Sequence, residues 1–99
     1  KEAAAIAEQI LAQKPQNDTA IYFHGVINYE LKNFKAAQTD YTKITQKKES
    51  TFYYDATFRL GFALKNQHQN KAAQQQFEKV ATDVDNPFNK NAKKVLELY

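Results

Sequence analysis

Displaced by thirty-six residues, the chain falls on itself. Gly25 lands on Gly61, Ala36-Ala37 on Ala72-Ala73, Tyr41 on Phe77 and Ile44 on Val80, with Leu31 opposite Gln67. A shift of thirty-four toward the N-terminus sets Ala37 on Ala3, Tyr41 on Ala7 and Ile44 on Ile10, and Pro15 follows where that segment should stop. Self-similarity at this period marks a repeat architecture, in which each supersecondary unit buries its apolar face on the next. Two whole units and a preceding half unit share one template.

The unit is helical. The chain holds two glycines and two prolines, and it is rich in alanine, glutamine and lysine, which favours helix. No segment alternates cleanly between turn signals, so strands are not expected. The period predicts six helices, at about Glu2–Gln13, Asp18–Lys32, Phe34–Lys47, Thr51–Asn66, Asn70–Asp83 and Pro87–Leu98. Asn17 or Asp18, Asn33, and Ser50 or Thr51 are expected as N-caps of the second to fourth. Asn86 followed by Pro87 reads as a cap with proline in the first helical position of the sixth. Connections of two to five residues make neighbouring helices antiparallel.

Both glycines fall inside helices, where glycine costs about 1 kcal/mol relative to alanine. Their spacing to Tyr41 and Phe77 explains this. Each glycine is expected to be a notch that admits the ring from the second helix of its hairpin. Ala37 and Ala73 give the matching close approach. A phosphate-binding loop does not fit, since no glycine cluster or Gly-Lys-Ser/Thr follows a strand.

The series Gly25, Ala37, Tyr41, Ile44 and its copy Leu60-Gly61, Ala73, Phe77, Val80 resembles the tetratricopeptide repeat across essentially the whole chain. Departures are Ile21 and Thr57 at the tryptophan-like position, His24 before the first glycine, Asn28 and Leu64 at the tyrosine position, Asn70 in place of an aromatic such as Phe34, and two extra residues around Lys48-Glu49-Ser50. The resemblance implies one domain: an all-α superhelix of stacked antiparallel hairpins. It divides into a half repeat at 1–15, repeats at 18–49 and 54–85, and a terminal helix at 87–98. It also implies a scaffold that receives a partner protein or peptide in a concave groove lined by the first helix of each hairpin.

Carried over by position, that groove stripe comprises Tyr22, Val26 and Tyr29, then Phe58, Phe62 and Lys65. Ala92, Leu96 and Tyr99 complete it if the spacing returns to thirty-four. Glu30, Asp55 and Asn66 form a polar margin. One subclass of the family grips an acidic C-terminal carboxylate with lysine and asparagine here; Tyr22, Val26, Phe58 and Phe62 replace that clamp. The stretch "STFYYDATFRLG" is similar to repeats of bacterial cell-envelope tetratricopeptide proteins, which implies periplasm or cell envelope as a location beside the cytoplasm.

Other functions find little support. The net charge is +3 with a single arginine, Arg59, a poor footprint for nucleic acid. No cysteine is present, so disulfide and thiolate chemistry are excluded. His24 reads as a core histidine and His68 as a loop residue, with no second ligand at metal spacing from either. Ser50 is the only serine and reads as a cap rather than a nucleophile. The expectation is a protein that is not an enzyme, with no catalytic residue, cofactor or metal and no membrane-inserted segment. The competing reading is a structural spacer or self-association unit of a longer solenoid. A chain that opens at Lys1, already in helical sequence, reads as an excerpt of a longer protein.

Overall fold

The computed structural model describes residues 2–13 and 17–99, with the side chains of residues 2, 3, 4, 7 and 10 excepted. The expected stop at Pro15 and the packing of Ala3, Ala7 and Ile10 lie outside what is described. Among the described residues the chain is all-α, without strands. The helices are α1 Glu2–Gln13, α2 Asp18–Glu30, α3 Phe34–Thr45, α4 Tyr53–Lys65, α5 Asn70–Thr82 and α6 Asn89–Leu96. Each packs chiefly on the helices before and after it in sequence, which is a helical-repeat arrangement. No described helix is long and apolar enough to cross a membrane.

Most helices end sooner than their sequence pattern suggests, because their last turns tighten. Lys47 N–H donates to the Ile44 carbonyl at 3.0 Å and Tyr99 N–H to Leu96 at 3.1 Å, both three residues back. At the ends of α2 and α4 the chain turns through a left-handed residue, Lys32 at φ 65° and His68 at φ 62°. Asn33 N–H then reaches back to Asn28 and Gln69 N–H to Leu64, at 2.7 and 3.1 Å. This is the Schellman closure, here made without glycine.

The caps differ in part from expectation. Asn17 does cap α2, its Oδ1 accepting from Ala20 N–H at 3.0 Å. Asn33 stands at the N-cap of α3, but its side chain donates to Asn28 Oδ1 instead. Phe52 and Phe88 hold the N-cap positions of α4 and α6, with φ, ψ of −95°, 6° and −95°, 9°. Ser50 and Asn86 act two residues earlier. The Ser50 hydroxyl accepts from Phe52 N–H at 3.3 Å and Asn86 Oδ1 accepts from Phe88 N–H at 2.9 Å. Both are turns that turn the chain into the helix, so Pro87 lies in the turn before α6 rather than in its first position.

The core lies where α3 and α5 meet the helices beside them. Tyr41, Phe77, Ile44 and Val80 are its largest fully buried side chains, spaced by Ala37, Ala56, Ala63, Ala73 and Ala92, all at zero exposure. The glycines are notches for the two rings. A Cβ at Gly25 would lie 2.9 Å from Tyr41 Cε1, and one at Gly61 would lie 2.6 Å from Phe77 Cε1.

Candidate functional site

Side-chain contacts set α2, α4 and α6 in a row. Tyr22 Oη of α2 donates to Asp55 Oδ1 of α4 at 2.7 Å. Asn66, at the end of α4, donates to Tyr29 Oη at 2.9 Å. Phe58 of α4 stacks on Phe88 at the head of α6. The stripe expected from the repeat lies on these helices, and its members have unequal freedom to meet a partner.

Two of its rings are already covered. Tyr22 is buried and stacks on Phe52 with centroids 4.4 Å apart and planes at 11°. Phe58 is half-buried and stacks on Phe88 at 5.1 Å and 5°. In each case a stripe ring takes its cover from a phenylalanine thirty residues on, at the cap of the next first helix. This paired clasp repeats at the thirty-six-residue period, since Phe52 and Phe88 are themselves thirty-six apart. That signal is present in the sequence, at positions the groove pattern does not include.

The same period runs on through α6. Ala92 repeats Ala56, both fully buried, and Leu96 repeats Leu60. By this period Leu96 falls opposite Leu60 rather than Phe62, although it is half-buried as Phe62 is where Leu60 is buried. Leu96 packs against the core, and the Tyr99 ring, 42% exposed, faces Phe77 at 6.5 Å.

Val26, Tyr29, Phe62 and Lys65 remain half-buried along the row. Tyr29, Phe62 and Arg59 line a recess of about 80 Å³. That is well below the ~300–1,000 Å³ of small-molecule sites, and suits part of one side chain. Arg59 is held in place from its own helix: Nε donates to Asp55 Oδ1 at 2.5 Å, one turn back. Its guanidinium carbon also stands 5.7 Å from the Tyr22 ring centre, in cation–π range. Burial and the bond to Asp55 push the Tyr22 phenol up to about 12. The Tyr41 hydroxyl is buried close to Arg59. It has no hydrogen-bond partner among the described residues, and burial pushes it up to about 12 as well.

Among the described residues, no group of three or more His, Cys, Asp or Glu side chains is placed to hold a metal ion. Protein-family models include none that matches this chain, and the curated proteins compared with it give no match.

Proposed function

We propose that the chain is a tetratricopeptide-like domain that docks a segment of another protein against the row formed by α2, α4 and α6. The glycine notches and the repeated Ala-aromatic-aliphatic series support the family reading. The patch of Val26, Tyr29, Arg59 and Phe62 carries the docking reading. It gathers two aromatic edges and the chain's single arginine around a side-chain-sized recess between two repeats. Aromatic and arginine anchors in such recesses dominate interface energetics. The contact surface is therefore narrower than the whole stripe, because Tyr22 and Phe58 are spent on Phe52 and Phe88.

Selection of peptides from a displayed library against the whole domain tests this. Tyr29→Ala and Arg59→Ala should each weaken the selected peptides at least tenfold while leaving the helical circular dichroism intact. Peptides that bind both variants as tightly as the parent domain refute the assignment.

A second reading, self-association into a longer stack, is favoured by exposed apolar side chains at both ends, Ile6 in α1 at 55% and Leu98 after α6 at 77%. Sedimentation across a wide concentration range separates it: a monomer throughout excludes it.

A further inference from the structure

Two carboxylates close on opposite nitrogens of one buried ring. His24 of α2 is 7% exposed. Its Nδ1 lies 2.5 Å from Asp40 Oδ2 of α3, and its Nε2 meets Glu8 Oε1 of α1. Asn28 stands one turn along α2, its amide 3.2 Å from Nδ1 and donating to the His24 carbonyl at 2.8 Å. Glu8 and Asp40 lie sixteen residues on either side of His24, so one ring ties together three consecutive helices.

The geometry favours the charged ring. A neutral imidazole has one N–H and one lone pair. With a carboxylate at each nitrogen, either neutral tautomer turns its lone pair on an anion, and only the imidazolium donates to both. Burial opposes charge on the ring, but the hydrogen bonds and charges of Glu8 and Asp40 outweigh it and hold His24 above its ordinary value. Burial also pushes the Asp40 carboxyl up, against the pull of His24.

The second repeat serves as an internal control. Thirty-six residues on, His24, Asn28 and Asp40 are replaced by Leu60, Leu64 and Gln76. Leu60 and Leu64 are buried to the same degree as His24 and Asn28. The hairpin therefore packs without charge at these positions. Only His24 and Asp40 are buried, the Glu8 side chain being 65% exposed, and a buried ion pair is commonly no more stabilising than apolar side chains of similar volume. What the first repeat gains from it is sensitivity to protons.

We propose that His24 is a proton-operated latch: while protonated it holds α1 on α2 and α3, and on losing its proton it loosens α1. The charged groups facing it among the described residues are Glu8 from α1 and Asp40 from α3, with Lys43 of α3 acting on Asp40; Asn28 of α2 does not titrate. His24 is raised in the fold, so its stabilisation is complete below the ordinary imidazole value of about 6.5 and is lost as pH rises through the folded value. Opening α1 removes Glu8 but leaves Asp40 on the ring, so α1 opening increases by at most about tenfold per pH unit, between the His24 value with α1 open and its value with α1 closed.

The test combines a ring-proton NMR titration of His24, with exposed His68 as the comparison resonance, and amide exchange of α1 corrected for intrinsic rates between pH 5.5 and 9. His24 should titrate above 6.5, and α1 opening should rise with the same midpoint. Glu8→Gln should lower that midpoint. The double variant His24→Leu/Asp40→Gln, which copies the second repeat, should make α1 protection level with pH. If the double variant fails to fold, Glu8→Gln decides alone. A His24 midpoint at or below 6.5, α1 exchange that ignores pH, or a midpoint unmoved by Glu8→Gln overturns the latch.

Discussion

Adding one methyl group at Gly61 should cost more than the same change at Gly25, although the two occupy equivalent slots. At Gly61 the new Cβ would sit 2.6, 2.7 and 2.9 Å from three carbons of the Phe77 ring, against the 3.4 Å at which ordinary contact begins. At Gly25 only Tyr41 Cε1 comes within 3.0 Å, at 2.9 Å. Phe77 has little room to retreat: Phe62 lies edge-on at 5.0 Å and Phe58 at 6.0 Å, and Phe58 is itself stacked on Phe88. Overpacking of this kind costs about 1–3 kcal/mol, and the gain in helix propensity returns about 1 kcal/mol. The balance is a loss of about 0–2 kcal/mol, and Gly61→Ala, with three ring carbons inside 3.0 Å, should fall toward the upper end, while Gly25→Ala should stay within about 1 kcal/mol of the parent. Urea unfolding followed by circular dichroism measures both, provided the m-value is unchanged. Phe77→Leu supplies the control, because a smaller side chain relieves the clash. The double variant Gly61→Ala/Phe77→Leu should be more stable than the sum of its parts by about 1 kcal/mol. Equal effects at the two glycines, a stabilised Gly61→Ala, or strict additivity would refute the notch.

Tyr41→Phe should be neutral or stabilise by about 1 kcal/mol in urea unfolding, since it removes a buried hydroxyl that has no hydrogen-bond partner among the described residues and copies Phe77. Two of the six tyrosines, Tyr22 and Tyr41, should ionise only at about 12 in an ultraviolet titration. Their phenols are raised in the fold, so their own contribution to stability should be level below pH 10 and fall as pH climbs from there, visible as alkaline loss of helical circular dichroism beyond the window in which His24 titrates. Lys32→Gly and His68→Gly should each raise stability by about 0.5–1 kcal/mol, because both positions are left-handed and glycine takes that shape without strain. Phe88→Ala should cost about 2 kcal/mol from lost burial and stacking on Phe58, and should raise amide exchange in α6 before that in α2.

The notches were legible because glycine, alanine and aromatic keep one spacing in both repeats. Helix number and order followed from the same pattern. The helix ends were misjudged by one to two residues, because nothing in the apolar pattern distinguishes a last α turn from a tightened one. The placement of Ala92, Leu96 and Tyr99 in the stripe assumed a return to thirty-four, whereas Phe52 with Phe88, and Ala56 with buried Ala92, keep a spacing of thirty-six. The charged cluster was hidden for a different reason. His24 was readable as a core residue, yet Glu8 and Asp40 reach it from neighbouring helices, and helical periodicity says nothing of which side chain across a crossing will meet it. Arg59 looked isolated in sequence, and only the folded row shows it between Asp55, Tyr22 and the recess.

Since each helix leans chiefly on its sequence neighbours, the molecule behaves mechanically like a zip. Tension applied between its two ends should strip away one helix pair at a time, giving separate force peaks in place of one global rupture. The two peaks should respond differently to acidity, because one pair closes over a histidine and the other over leucine.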